Sequence, residues 1–159
     1  MKTRLKIISG GQTGVDRAAL DWALAHKVPH GGWCPRGRRA EDGVIPRRYR
    51  LRETWSSAYA VRTRQNVEEA DATVVFTATG DLRGGTRWTV EIAKQFGKPW
   101  LWLAGSKLEI GEAAARLTEF IGEHEVRVLN VAGPRGSEQP EAARFARAVL
   151  EKMWAAANQ

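Results

Sequence analysis

Residues 7–21 read IISGGQTGVDRAALD, a short apolar run that ends in a glycine-rich turn and continues as a helical pattern. The run over residues 4–9 predicts a buried strand. From residue 15 to residue 25, apolar side chains recur every three or four positions, which predicts a helix. A strand, a turn and a helix in succession form the repeating unit of a parallel sheet.

The same alternation extends over the rest of the chain. Apolar runs predict strands near residues 32–34 and over 72–78, 99–104 and 126–131, and helical spacing predicts helices over 54–70, 86–96, 110–121 and 137–156. No repeat or linker separates these segments. We therefore predict one α/β domain over residues 1–159, with a mainly parallel sheet of about five strands and helices on both faces.

Composition and charge narrow the class of protein. No apolar run reaches the roughly 20 residues needed to span a bilayer, and the apolar stretch near the start is too short for a signal peptide. The single cysteine, Cys34, excludes an internal disulfide and fits a reducing cytosol. The formal net charge of +7 favours anionic partners such as nucleotides, oxyanions or nucleic acid. We expect a cytosolic protein that does not associate with membranes.

Three polar loops that contain glycine each follow a predicted strand and lead into a predicted helix. They cover residues 9–14, 80–86 and 130–137. Ligands of parallel α/β sheets bind outside the carboxyl ends of the strands, and the free N–H groups of a helix N-terminus suit an oxyanion. The loops therefore predict a shared oxyanion site, although each is also compatible with an ordinary strand-to-helix turn. None is a Walker A or GxGxxG loop, which argues against a standard NTPase or NAD dehydrogenase.

An arginine-rich stretch, GGWCPRGRRAEDGVIP at residues 31–46, provides candidate charges for such a site. Arg38 and Arg39 can bind a phosphate through bidentate hydrogen bonds. The alternative is a solvated loop in which Glu41 and Asp42 neutralise the arginines. The glycine, proline and tryptophan residues of this stretch favour an ordered loop.

The helix predicted over residues 54–70 carries polar residues on a side that also carries aromatic residues. Arg62, Thr63 and Asn66 on this side indicate contact either with a ligand or with the arginine-rich loop. Asp16, just inside the first helix, interacts favourably with the helix dipole and is predicted to cap the helix or to pair with an arginine. We assign these four residues a supporting role.

Metal ligation and acid–base catalysis have little support in the sequence. The three histidines lack metal-ligand spacing and Cys34 stands alone, so no metal held by the protein is predicted. Glu91 is separated from Arg87 by one helical turn, so an ion pair competes with a catalytic role. Trp33 and Trp88 lie beside the loops and are candidates for stacking on a planar ring.

Five motifs together resemble the putative molybdenum carrier family, also described as the circularly permuted YpsA-like branch of the SLOG superfamily. The motifs are GGQTGVDRAALD, GGWCPRGRRAEDGVIP, YxxRTxxNV from residue 59, GGTxxT from residue 84 and NVAGPR from residue 130. They occur in this order over nearly the whole chain. The resemblance implies a Rossmann-like fold, a pocket for a nucleotide-type ligand, and homo-oligomers. It also implies molybdenum cofactor as a ligand, since members in algae and some bacteria bind this phosphate-bearing pterin.

Two relatives within the superfamily imply alternatives. LOG-type phosphoribohydrolases release a base from a nucleoside monophosphate and share a PGGxGTxxE loop. Residues 84–85 and Glu91 keep the spacing of its glycine pair and glutamate, but Arg83 replaces the proline and residues 87–88 replace Gly-Thr. The second relative is the DNA-processing protein DprA, which binds single-stranded DNA, so this relationship implies nucleic-acid binding as another alternative.

Our leading hypothesis is a cytosolic binding or carrier protein for a phosphate-bearing ligand, either molybdenum cofactor or a nucleotide. In the predicted site the first loop cradles the oxyanion through Gly10, Gly11, Gln12, Thr13 and Gly14, and the second loop forms the facing wall with Gly84, Gly85 and Thr86. Arg38 and Arg39 neutralise charge, and Asn130, Gly133 and Arg135 of the last loop close the third side. Any metal would arrive inside the ligand. The alternatives are an N-glycosidase-type nucleotide hydrolase with Glu91 as acid/base, and single-stranded DNA binding by the basic surface.

Overall fold

Residues 4–159 form nine strands and five helices in the computed structural model. In chain order these elements are β1 (Lys6–Ile8), α1 (Val15–Ala25), β2 (His30–Gly31), β3 (Trp33–Cys34), β4 (Arg39–Ala40), β5 (Gly43–Val44), β6 (Arg52–Glu53), α2 (Tyr59–Glu69), β7 (Ala72–Thr77), α3 (Gly84–Gln95), β8 (Trp100–Ala104), α4 (Ile110–Glu123), β9 (Val128–Ala132) and α5 (Pro140–Ala157). Within this part of the chain, no helix combines the length and apolar character needed to cross a membrane.

Five of the strands form one sheet in the order β2-β1-β9-β7-β8, and every neighbouring pair is parallel. Helices α1, α4 and α5 cover one face around a core that includes Trp22, Phe76 and Leu117. Helices α2 and α3 pack together on the other face around Val67 and Ile92. The predicted Rossmann-like α/β fold, with a parallel sheet between two layers of helices, is confirmed.

The order of the central strands positions the candidate site. β7 is buried along its whole length, because helices cover both faces of the parallel sheet. β1, β9 and β7 are neighbours, although β9 comes last along the chain. Their carboxyl ends therefore lie side by side at one end of the sheet, and the three glycine-bearing loops follow these ends.

The start of α2 differs most from the prediction. The helix predicted from residue 54 begins at Tyr59. The Thr54 hydroxyl donates to Ser56 O at 2.7 Å, and the Ala58 N–H donates to Ser56 Oγ at 3.1 Å. Because these side chains compete with helical backbone bonds, they hold residues 54–58 in a turn.

The arginine-rich stretch is ordered, as its composition predicts. We refer to residues 35–51, between β3 and β6, as the flap. Within it β4 and β5 form an antiparallel hairpin, and β3 pairs with β6 at its base. The buried flap residues Ile45 and Tyr49 pack with Leu20 of α1 and with Cys34 in a small separate core. The flap is thus anchored to α1.

Candidate functional site

A polar cleft lies at the carboxyl ends of β1, β9 and β7, next to the amino-terminal end of α3. Its volume of about 310 Å³ is that of a small-molecule site. The residues that line it come from the three loops, from Glu138 just after the third loop, and from helices α1, α2 and α3: Gly10 and Gln12; Gly84, Gly85 and Thr86; residues 130–135; Glu138; Asp16; Tyr59, Ala60, Arg62, Thr63 and Asn66; Trp88 and Thr89. The three loops thus meet at one cleft.

The first turn of α3 presents unpaired backbone amides to this cleft. The first hydrogen bond of the helix runs from the Arg87 N–H to Arg83 O at 3.2 Å. The amides of Gly84, Gly85 and Thr86 precede it, so they have no acceptor within the helix. No side chain caps this end of α3. The positive end of the helix dipole adds to these donors, so this wall suits an oxyanion.

Arg62 of α2 is a buried cation in the cleft, with 9% of its surface exposed. Its Nη1 donates to Gly10 O at 2.9 Å, and its Nε donates to Thr63 Oγ1 at 3.1 Å. Among the described residues, no carboxylate forms an ion pair with it. Burial lowers the pKa of Arg62, and the charge of Asp16 opposes this shift. The guanidinium is therefore desolvated without a paired anion, which is unfavourable unless a ligand supplies one.

Asp16 is a buried carboxyl group in the same cleft, with 6% of its surface exposed. Its Oδ2 accepts a hydrogen bond from the Gln12 N–H at 3.1 Å. Burial raises the pKa of Asp16, and the charge of Arg62 opposes the rise. Because burial outweighs the attraction of the guanidinium, the neutral carboxyl group forms more readily than it does in water.

Gln12 and Tyr59 complete the polar wall. Gln12 Oε1 accepts from two backbone N–H groups at 3.1 and 2.9 Å. Its Nε2 is buried beside the Tyr59 hydroxyl and forms no well-aligned hydrogen bond within residues 4–159. Burial by itself raises the pKa of Tyr59, but the neighbouring Arg39 and Gln12 side chains bring that pKa below its ordinary value. Gln12 therefore offers the cleft an unused donor.

Three arginines surround the Tyr59 ring. The guanidinium carbon of Arg39 lies 4.4 Å from the ring centroid, and those of Arg62 and Arg135 each lie 5.3 Å from it. One carboxylate offsets part of this charge, because Glu138 pairs with Arg135 at 3.4 Å. The side of the cleft around Tyr59 is therefore positive and attracts an anionic ligand.

The first loop is packed more tightly than an open phosphate cradle. Gly11 and Gly14 have positive φ angles of 78° and 86°. A Cβ atom at Gly11 would lie 2.7 Å from the Leu51 side chain, and one at Gly14 would lie 2.5 Å from Pro134 O. The Gln12 N–H donates to Asp16 of α1, and the Thr13 N–H donates to the Gln12 side chain. Two amides of this loop are therefore already paired, whereas those of Gly84, Gly85 and Thr86 have no acceptor within α3.

Most predicted ligand residues line the cleft, and five lie outside it: Gly11, Thr13, Gly14, Arg38 and Arg39. Arg38 differs most from its predicted role as a phosphate clamp. Its guanidinium donates to four carbonyl oxygens of the flap at distances between 2.8 and 3.3 Å. These bonds use its donors to hold the flap together, and its role as a phosphate clamp stays a prediction of the sequence. Arg39 stacks on Tyr59 instead of lining the cleft itself.

The four residues assigned a supporting role all line the cleft: Asp16, Arg62, Thr63 and Asn66. Asn66 also joins α2 to β3, because its Oδ1 accepts from the Trp33 N–H at 2.8 Å and its Nδ2 donates to Trp33 O at 2.9 Å. The Trp33 indole donates to Glu69 at 2.7 Å and does not line the cleft. Of the two candidate stacking residues, the cleft contains only Trp88.

Glu91 does not reach the cleft. Its half-exposed carboxylate pairs with Lys94 Nζ at 3.5 Å on α3. The carboxyl groups that line the cleft are those of Asp16 and Glu138. The acid or base role considered for Glu91 stays a prediction of the sequence, and its side chain does not line the cleft in this structure.

Three polar residues that line the cleft were given neither a ligand-binding nor a supporting role from the sequence: Tyr59, Thr89 and Glu138. Thr89 follows Gly85 by one helical turn and donates its hydroxyl to Gly85 O at 2.9 Å. Glu138 follows Arg135 by three positions and pairs with it. The sequence signal for Thr89 was its spacing of one helical turn from Gly85, and the signal for Glu138 was its spacing of three positions from Arg135.

Two carboxylates fasten the flap to its surroundings. Glu41 accepts hydrogen bonds from the Thr13 hydroxyl, from the Ser137 N–H at 3.2 Å and from the Ser137 hydroxyl at 2.6 Å. Asp42 accepts from two guanidinium nitrogens of Arg17 at 2.5 and 2.7 Å. Glu41 therefore links the flap to both the first and the third loop.

We expect acid to release the flap before it unfolds the domain. Hydrogen bonds from Ser137 and Thr13 lower the pKa of Glu41, and hydrogen bonding to Arg17 lowers that of Asp42. Because the folded-state pKa is lowered, this stabilisation is complete above the ordinary pKa of 4.5 for Glu41. It is lost as the pH falls through the lowered values.

Hydrogen-exchange protection of residues 39–44 should therefore fall as the pH drops below 4.5, while that of β7 persists. Glu41→Gln should weaken this protection already at neutral pH. Glu112→Gln is the matched control, since Glu112 is a half-exposed carboxylate on α4 that pairs only with Arg116 in the described chain. Unchanged flap protection in Glu41→Gln would contradict the proposed link.

The described residues offer no preformed metal site. No group of three or more His, Cys, Asp or Glu side chains within residues 4–159 is arranged to hold a metal ion. Cys34 is buried in the core beneath the flap. Burial raises the pKa of its thiol, which disfavours the thiolate needed for ligation or nucleophilic attack.

The sequence matches one family model, and the fold matches a solved structure. The model of the circularly permutated YpsA SLOG family matches residues 7–154. The crystal structure of a putative molybdenum carrier protein from Syntrophus aciditrophicus is similar with a TM-score of 0.93 and 42% sequence identity, over 96% of this chain and 97% of that chain. No curated protein matches the sequence. These similarities support a ligand-binding role.

Proposed function

The chain belongs to the circularly permutated YpsA SLOG family, and from this membership we propose that it is a binding or carrier protein for a small phosphate-bearing ligand. The ligand would lie in the cleft formed by the three loops and α2. The observation that carries the proposal is Arg62, a buried cation without an ion-pair partner among residues 4–159.

A phosphate group would satisfy both walls of the cleft. Phosphate oxygens accept hydrogen bonds from a guanidinium and from helix amides. Such a group would form an ion pair with Arg62 and accept hydrogen bonds from the amides of Gly84, Gly85 and Thr86. The buried Nε2 of Gln12 would supply a further donor. Each of these groups is unfavourable when it is desolvated without a partner, so together they favour an anionic ligand.

Two ligand classes fit these donors, molybdenum cofactor and a nucleotide. Both carry a phosphate and a planar ring, and Trp88 in the cleft can stack on a ring. The description of the Syntrophus aciditrophicus protein as a molybdenum carrier favours the cofactor. When bound, that cofactor would bring its own metal, and the residues described in this chain would contribute binding and orientation of the phosphate and the ring.

Ligand released from the purified protein tests the proposal directly. We expect mass spectrometry to identify a phosphorylated pterin or nucleotide, and calorimetry to detect rebinding of that compound. Molybdenum cofactor and AMP are the first two compounds to titrate. If no phosphorylated compound is released or bound, the proposal is wrong.

Thr86→Val is expected to weaken binding of the released compound about fivefold to tenfold. The substitution keeps the shape of the side chain but removes a hydroxyl that lines the cleft, and a neutral hydrogen bond contributes about 1 kcal/mol. Thr118→Val is the matched control, because the Thr118 hydroxyl donates to Ala114 O within α4. Equal affinities in the two variants, measured by calorimetry, would place Thr86 outside the binding contacts.

The other functions considered from the sequence have weaker support. A hydrolase that uses Glu91 is disfavoured because this side chain lies outside the cleft. Single-stranded DNA binding, homo-oligomer formation and a cytosolic location stay predictions of the sequence.

A further inference from the structure

Asp16 and the proposed phosphate would both interact with the guanidinium of Arg62. Asp16 and Arg62 both line the cleft, and the charge of Arg62 acts on the Asp16 carboxyl group. No carboxylate in the described chain forms an ion pair with Arg62. An oxyanion bound at Arg62 would compete with ionised Asp16 for the same guanidinium, and the two anions would repel each other.

We propose that Asp16 is a specificity-determining residue that shares one proton with the bound oxyanion. This inference rests on the proposed function. In the bound state one proton lies between an oxygen of the Asp16 carboxyl group and an oxygen of the anion, and no other bond forms or breaks. The shared proton removes the repulsion and forms a charge-assisted hydrogen bond.

The geometry around Asp16 suits this role. Its Oδ2 is held by the Gln12 N–H at 3.1 Å, which fixes the carboxyl group in the cleft wall. The side chain is buried, so water competes little for the shared proton. Burial also raises the pKa of Asp16, which lowers the free energy needed to protonate it.

The proposal distinguishes oxyanions that carry a proton from those that do not. At about pH 8 hydrogen phosphate still carries a proton and brings it to the site. Sulfate and molybdate carry none, so their binding must take one from solvent. Their affinity should fall about tenfold for each pH unit above the pKa of Asp16, whereas the affinity of phosphate should stay nearly constant between about pH 7 and 8.

The charged groups near Asp16 keep their charge over this range. The groups that act on it are Arg62 from α2, Arg17 from α1, and Ser9 and Gln12 from the first loop. Arginine stays protonated at all these pH values. The cleft also contains Tyr59 and the pair formed by Arg135 and Glu138. A substitution that removes only the Asp16 carboxyl group leaves these other groups in place, so any pH dependence that is lost comes from Asp16.

The experiment is calorimetric titration of wild type and Asp16→Asn with inorganic phosphate, sulfate and molybdate from about pH 6 to 8. Asparagine keeps the size of the side chain and retains an oxygen that can accept from the Gln12 N–H. Its amide N–H can donate a hydrogen bond to the anion, so binding no longer requires uptake of a proton. In wild type we expect sulfate and molybdate affinity to fall steeply with pH. In Asp16→Asn we expect their affinity to be independent of pH and within about threefold of that for phosphate. Glu112→Gln should retain the wild-type pH dependence.

Proton counting on the wild-type protein provides a second measurement if Asp16→Asn fails to fold. Calorimetry at about pH 8 in buffers of different ionisation enthalpy should show uptake of about one proton with sulfate and close to none with phosphate. Equal proton uptake for both anions would overturn the role of Asp16. If neither phosphate nor sulfate binds wild type at any of these pH values, the role of Asp16 fails, whereas the proposed function fails only if the protein neither releases nor binds a phosphorylated compound.

Discussion

Arg62→Met is expected to weaken phosphate binding by about 100-fold while changing the free energy of unfolding of the ligand-free protein by less than about 1 kcal/mol. Hydrogen bonds between a charged donor and an anion contribute about 1.5–3 kcal/mol, which accounts for a loss of this size. Stability changes little because methionine fills a similar volume and removes a buried charge. The loss of the hydrogen bond to Gly10 O, at 2.9 Å, offsets part of that gain.

Calorimetric titration with inorganic phosphate and urea unfolding of the ligand-free protein measure the two effects. Arg64→Met is the matched control, because Arg64 is exposed on the same helix with its guanidinium carbon 5.2 Å from the Phe96 ring centroid. It should leave phosphate binding unchanged. Wild-type affinity in Arg62→Met would remove Arg62 from the site, and a loss of several kcal/mol in stability would assign the guanidinium a structural role instead.

Gly14→Ala is expected to lower the free energy of unfolding by about 3 kcal/mol. Gly14 has φ 86° and ψ −129°, a conformation that residues with a side chain rarely adopt. A Cβ atom there would lie 2.5 Å from Pro134 O and 2.7 Å from Gly136 N. Both contacts are with backbone, so they are relieved only if the first loop separates from the third. Strain and overlap each cost about 1–3 kcal/mol.

Gly37→Ala is the control that distinguishes backbone strain from steric overlap of the new Cβ atom. Gly37 has a nearly identical φ of 83°, but a Cβ atom there would meet nothing within 4 Å. Its substitution should cost only the backbone strain, about 1 kcal/mol. Urea unfolding followed by tryptophan fluorescence compares the two variants. Equal losses would mean that the close approach of the first and third loops does not limit stability.

Local sequence patterns were sufficient for most of the fold. The helix predicted over residues 15–25 forms over the same residues, because its apolar stripe and the preceding glycine both favour a helix that starts there. β7 forms over residues 72–77, close to the predicted run, since a continuous apolar segment suits a strand buried on both faces. The start of α2 was predicted too early, because side-chain bonds in residues 54–58 compete with the helix.

The roles of the arginines could not be read from local patterns. Arg38 and Arg39 were assigned to the ligand because they lie in an arginine-rich stretch, and Arg62 was assigned a supporting role. In the structure the donors of Arg38 bind flap carbonyl groups, while Arg62 is buried in the cleft without an ion pair in the described chain. The contact that places Arg62 joins it to Gly10, which is 52 positions away. Such contacts depend on how distant segments pack.

The amino-acid sequence by itself determined the parallel α/β architecture and the position of the three loops, because hydrophobic periodicity and glycine spacing act over a few residues. The tertiary structure decided which donors are free and which are already used. The tertiary structure brings the first turn of α3, Arg62 and Asp16 to one cleft, and it packs Gly11 and Gly14 of the GGQTG loop closely against neighbouring segments. The physical reason is that desolvation and hydrogen-bond pairing depend on contacts between segments far apart in the chain.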